Sequence, residues 1–112
     1  MTAFDFKPRF VPLIESGKKT STIRKSKRGA VGRKMQLYTG QRTKECRLIK
    51  EVTCTAIYDF SIDDHQRVSC RHPDAGYLYR QEGFDTPDDM IDFFEENYGL
   101  PFYGYLHEWE KT

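Results

Sequence analysis

Residues 45–60 constrain the fold more than any other part of the sequence. Cys46, Leu48, Val52, Cys54, Ala56 and Tyr58 fall on one parity, the spacing that turns alternate side chains of an extended chain to one face. The run reads as the central strand of a sheet, with Lys50 interrupting the pattern where a bulge or an edge falls. Other elements fit around it. Pro12-Leu13-Ile14-Glu15-Ser16 suits a short helix, with Pro12 at its first position and Gly17 as the left-handed residue that ends it. Thr20-Ser21-Thr22-Ile23 favours extended chain, and Met35-Gln36-Leu37-Tyr38-Thr39 is a short strand closed by Gly40. Thr86 is a good N-cap before Pro87, Asp88 and Asp89 suit the positive end of a helix dipole, and Met90, Ile91, Phe94 and Tyr98 follow at helical spacing until Gly99. Residues 102–109 make a closing aromatic strand, while 61–76, rich in Asp, His and Arg, read as irregular with room for one helical turn. No repeat or linker divides the chain, so residues 1–112 predict one small mixed α/β (α+β) domain built on a curved sheet or barrel.

Composition narrows the class. A hydrophobic fraction of 38% with 14% aromatics argues for a packed core over disorder. No stretch approaches the ~20 apolar residues of a membrane span, and Asp5, Lys7 and Arg9 break any signal-peptide core, so a cytoplasmic location and no membrane partner are expected. Three cysteines make no disulfide framework and suit a reducing compartment. Cys46, Cys54, Cys70, His65 and His72 have no metal-ligand spacing, so neither metal nor cofactor is expected; Cys46 and Cys54 share strand parity with Leu48 and Val52 and are read as core. A monomer is the default.

The net charge of +1 conceals a segregation. Residues 16–44 contain ten basic side chains and no acidic one, whereas residues 81–112 contain nine acidic and one basic. Lys25, Lys27, Arg28, Arg33 and Lys34 stand among small residues and glycines, the composition of a flexible loop able to lie along a phosphate backbone; a solvated surface loop is the plain alternative.

Chemistry concentrates just before that loop, in Gly17-Lys18-Lys19-Thr20-Ser21-Thr22-Ile23-Arg24. Strand alternation sets Thr20 and Thr22 on one face, with Lys19 reaching them from the turn and Arg24 two residues beyond Thr22 on the same side. Lys19 and Thr22 can therefore meet. The glycine, lysine and threonine here lack the spacing of a nucleotide-hydrolase phosphate loop.

This stretch, the strand after a Gly-containing basic loop, Glu82-Gly83-Phe84 ahead of a helix ending in Tyr98-Gly99, and the closing aromatic strand together resemble an ASCH domain of the PUA-like superfamily. The resemblance implies a PUA-like β-barrel with flanking helices and a cleft that receives RNA or a nucleoside. Within that superfamily the chain is similar to small bacterial amidohydrolases that deacetylate N4-acetylcytidine. Their Gly-x-Lys-Thr-x-Thr-Ile-Arg pattern implies Lys19 and Thr22 as catalytic, and their glutamate before the second helix implies Glu82. The long basic loop departs from that subgroup and makes a polymer substrate more plausible.

Amide hydrolysis needs a nucleophile, a proton acceptor and stabilisation of an oxyanion. Thr22 offers the hydroxyl. Lys19 serves as base if its amine is partly neutral, to which Lys18, Arg24, Lys25 and burial would contribute; Glu82 would carry a proton to the leaving amine, with Asp74 and Asp85 as alternative acids, and Arg24 would bind a carbonyl or phosphate. Each also has an ordinary role: Lys19 as a solvated turn residue, Thr22 as a β-former, Arg24 as an ion-pair partner and Glu82 as a surface acid. An amidohydrolase, a non-catalytic RNA-binding module and a ribonuclease on single-stranded RNA are the three expectations that follow. Lys18, Arg24, Lys25, Lys27, Arg28, Arg33 and Lys34 are the substrate- or RNA-binding candidates.

Overall fold

The computed structural model describes residues 2–110. Strand β1 (Thr2–Phe6) leads through a 3-10 turn at Pro8–Phe10 into helix α1 (Val11–Ser16), and strands β2 (Ser21–Arg24), β3 (Lys34–Thr39), β4 (Arg47–Ile62) and β5 (Val68–Cys70) follow. A second 3-10 turn at Ala75–Tyr77 opens helix α2 (Leu78–Glu82), then come helix α3 (Pro87–Tyr98) and strand β6 (Phe102–Trp109). The strands form one six-stranded sheet in the order β1-β3-β4-β6-β2, with β5 paired to β4. β4 is its spine. It pairs with β3 through residues 47–53 and with β6 through residues 54–62.

The mixed α+β architecture with helices flanking a sheet is as expected, but the sheet does not close into a barrel: β1 and β2 end the strand path without pairing to each other. That seam is bridged by a side chain, the Arg24 guanidinium donating to the Asp5 carbonyl at 2.7 Å. The helix signals hold. Gly17 is left-handed at the end of α1 (φ 83°), and the Thr86 hydroxyl accepts the Asp89 amide at 3.1 Å as the N-cap of α3.

The parity reading of β4 holds for the buried Val52 and Cys54, is weaker at the half-buried Ala56 and Tyr58, and the same parity runs on to the buried Phe60 and Ile62. It fails at the near end, where the pairing with β3 slips between Leu37/Lys50 and Tyr38/Leu48. That bulge, at the position Lys50 marks, inserts Ile49 and reverses the facing, so Ile49 packs on the core while Leu48 is exposed; Cys46 is exposed as well, in the turn before β4, where its N–H donates to Thr43. Cys46 is therefore not a core residue. Residues 61–76 are also more ordered than their composition implies, since β5 pairs in register with β4 across a turn in which the Asp63 carboxylate accepts the His65 and Arg67 amides at 2.9 Å. Among the described residues no helix is long and apolar enough to cross a membrane.

Candidate active site

Backbone bonds fold the turn after α1 back on that helix and tie it to the end of α2: Lys19 N–H donates to Leu13 at 2.9 Å, and Thr20 N–H donates to Gln81 at 3.0 Å. Gly83 ends α2 in the left-handed region, and a Cβ there would lie 2.8 Å from Leu13 Cδ1 and 3.7 Å from Lys19 Cδ. The left-handed φ of 94° and the clash with Leu13 call for glycine at this turn, while the Lys19 stem passes it at ordinary contact distance and folds inward.

There Lys19 Nζ donates to the Glu82 main-chain carbonyl at 2.8 Å and approaches Glu82 Oε1 at 3.4 Å, over the rings of Phe10 and Phe6 at 4.9 and 5.8 Å. The Ser21 hydroxyl donates to the other Glu82 oxygen. Lys19 is 3% exposed and Glu82 2%, so neither is a solvated surface group. One residue on, the buried Thr22 hydroxyl accepts from Arg24 Nε at 3.0 Å, which confirms the shared strand face and leaves the hydroxyl hydrogen to donate elsewhere. The Arg24 guanidinium lies over Phe4 and Phe6 at 5.2 and 5.0 Å and pairs with no carboxylate among the described residues. Lys19, Thr22, Arg24 and Glu82 line one cavity of about 210 Å3, walled by Phe84 and Phe93 with Tyr98, 44% exposed, at its edge. Asp74 and Asp85 are exposed and lie outside it.

Burial is the main force pushing the Lys19 amine below its ordinary value, opposed by the Glu82 carboxylate and reinforced by Arg24 and Arg9. Lys18 and Lys25, expected to contribute, are exposed and play no part. An amine held below its ordinary pKa, a hydroxyl, a carboxylate and a guanidinium thus line one cavity, a set of groups that can support acyl transfer with proton relay.

The basic candidates divide by position. Lys25 reaches the mouth of the cavity, 5.4 Å from the Tyr98 ring centroid. Lys18 lines a shallow groove on the far side of the turn, beside Arg80 and Gln81. Lys27 is exposed, while Arg33 and Lys34 line a separate hollow beside Thr2, with Lys34 also 3.6 Å from Glu51. Arg28 lays its guanidinium 4.7 Å over Phe4. The loop itself is less free than its composition suggests. Gly32 N–H donates to Cys54 at 2.8 Å, Cys54 N–H returns to Arg33 at 2.9 Å, and Arg28 N–H donates to His107 Nε2 at 3.0 Å.

Two residues of this assembly escape sequence reasoning. Ser21 looks like a β-former, yet it anchors Glu82 from 61 positions away. His107 is fully buried in β6 opposite Thr22, accepting from Arg28 and with Nδ1 3.4 Å from the Thr22 carbonyl, an arrangement that fits the neutral Nδ1–H tautomer. Burial first, then Arg24 and Arg28, push its pKa down. An isolated histidine in an aromatic strand carries no local signal of either contact.

The architecture is that of an ASCH domain. The crystal structure of ASCH from Zymomonas mobilis superposes with a TM-score of 0.64 at 19% identity, over 96% of this chain and 65% of that one. Tyr-to-Phe and Ser-to-Ala variants of the Zymomonas mobilis protein give TM-scores of 0.62 and 0.61 at 13% and 15% identity, covering 98% and 96% of this chain. The chain spans 65–69% of the length of these structures. No family model matches the sequence, and no curated protein matches it. At such identities the likeness carries the fold.

Proposed function

We propose that the cavity is the active site of an amidohydrolase that removes the acetyl group from N4-acetylcytidine or a related acylated base, free or within RNA. One observation carries the reading: Lys19, Thr22, Arg24 and Glu82, from a turn, an edge strand and a helix end, line a single cavity in which the lysine is desolvated. Its volume of about 210 Å3 lies below the ~300–1,000 Å3 of sites that hold drug-sized ligands, which suits a planar base with the sugar left outside.

In this mechanism Thr22 Oγ1 attacks the acetyl carbonyl carbon as its proton passes to the neutral Lys19 amine, which turns from its Glu82 partners to reach the hydroxyl. Arg24 stabilises the oxyanion with the N–H groups not used on Thr22 and Asp5. Collapse breaks the C–N bond, and the leaving amine takes up a proton relayed through Lys19 and Glu82. Water then cleaves the acetyl–threonine ester, giving acetate and restoring the hydroxyl. A second reading, ribonuclease action or simple binding on single-stranded RNA, draws support from Lys25 at the cavity mouth.

Incubation with N4-acetylcytidine and, separately, with single-stranded RNA, followed by chromatography, tests the two. Release of cytidine and acetate supports the hydrolase. Shortened RNA with N4-acetylcytidine untouched supports the nuclease instead.

A further inference from the structure

A second cavity, of about 410 Å3, lies over strands β4, β5 and β6 and is floored by Gly104. Tyr103 and Tyr105 flank that glycine, and Tyr103 is 69% exposed, the most exposed large hydrophobic among the described residues. β2 comes so close that a Cβ on Gly104 would lie 2.4 Å from the Arg24 carbonyl oxygen, so the glycine is what lets the edge strand pack against β6. Lys25 and Arg71 both line it, and neither has an ion-pair partner among the described residues. Asp59, opposite Tyr105 in the β4–β6 register, supplies a carboxylate.

Lys25 joins this groove to the first cavity, because the same side chain lines the groove and sits over Tyr98 at the active-site edge. We propose that the groove holds the base of a nucleotide flanking the reacting one in single-stranded RNA, stacked on Tyr103, with the intervening phosphate on Lys25. Exposed tyrosine faces beside cations fit a base and its backbone. The Asp59 carboxylate accepts from an exocyclic amine, so cytosine, adenine or guanine is favoured over uracil, which offers no such amine. This inference rests on the reading of the first cavity as a site for a base, and it adds a reason for a polymer to outcompete a free nucleoside.

The test compares oligoribonucleotide binding, by fluorescence anisotropy with labelled oligo(C) and oligo(U), and turnover of N4-acetylcytidine against a trinucleotide carrying it centrally. Tyr103→Ala should weaken oligo(C) binding about 5- to 150-fold, the range for loss of one stacked base, and Tyr103→Trp should restore it. Lys25→Ser should lower the salt slope of binding by about 0.7. Tyr103→Ala should raise KM for the trinucleotide and leave kcat/KM for the free nucleoside unchanged. Oligo(C) binding unchanged in Tyr103→Ala overturns the proposal, including the case in which the groove instead takes a protein. Loss of oligo(C) binding without any deacetylation by wild type would keep the groove and remove the hydrolase reading.

Discussion

Glu82→Gln isolates the charge at the centre of the site. The amide keeps the volume of a residue that is 2% exposed, and its oxygen can take over the 3.4 Å approach of Lys19 Nζ. Its NH2 can donate to Ser21, whose hydroxyl reverses to accept. The reversed Ser21 hydrogen loses the acceptor that the carboxylate supplied, while the Lys19 bond to the main-chain carbonyl at 2.8 Å is untouched. What disappears is the carboxylate that opposes desolvation of Lys19, so the amine drops further below its ordinary value. Breaking a buried ion pair outright costs about 3–5 kcal/mol, but a lysine able to shed its proton leaves no bare charge behind. The loss should therefore be about 1–3 kcal/mol, the scale of a hydrogen bond to a charged group, within what a small domain tolerates. Turnover should fall ~100- to 10,000-fold, or about 2.7–5.5 kcal/mol of barrier, with substrate affinity retained. Urea unfolding and single-turnover deacetylation measure the two effects separately, with the exposed Asp74→Asn and Asp85→Asn as controls near wild type. A folded Glu82→Gln enzyme at the wild-type rate would refute the role of the carboxylate.

Lys19→Arg should fold less well and show no deacetylation, because a guanidinium stays protonated and cannot accept the Thr22 proton; a rate profile like that of wild type would remove Lys19 as base. Replacing Lys25, Lys27 and Arg33 with serine should lower the salt slope of RNA binding by about 0.7 for each phosphate left without its cation, read from affinity against ionic strength, and an unchanged slope would make the loop a solvated surface. His107 should make the fold acid-sensitive. Its folded pKa lies below the ordinary 6.5, so between those values the unfolded chain binds a proton that the fold does not, and stability falls as pH drops through that window. The loss is at most ~1.4 kcal/mol per pH unit, and the urea midpoint of His107→Gln should decline less steeply there.

What the sequence disclosed was local. Thr86, Pro87 and Gly99 mark α3 because capping acts within a turn of the helix, and Lys19, Thr22 and Arg24 are legible as a group because they are neighbours on one strand and its turn. Glu82 lies 63 residues from Lys19, and only resemblance to known hydrolases pointed to it. Ser21 and Thr22 point to opposite faces, yet both are buried, a two-sided covering of an edge strand that alternation cannot reveal. Leu48 is exposed because a single bulge residue reverses the facing beyond it, and Cys46 because the strand begins one residue later, after a turn that parity does not locate. The pinned basic loop depends on His107 and Cys54, partners that composition does not reach.

The most direct test of the central claim is rapid-quench mass spectrometry of the protein during turnover of N4-acetylcytidine. A transient acetyl group is expected on the peptide containing Thr22, formed with a burst of cytidine and absent, with all turnover, from folded Thr22→Ala. Cytidine released at an undiminished rate by Thr22→Ala would contradict a threonine nucleophile.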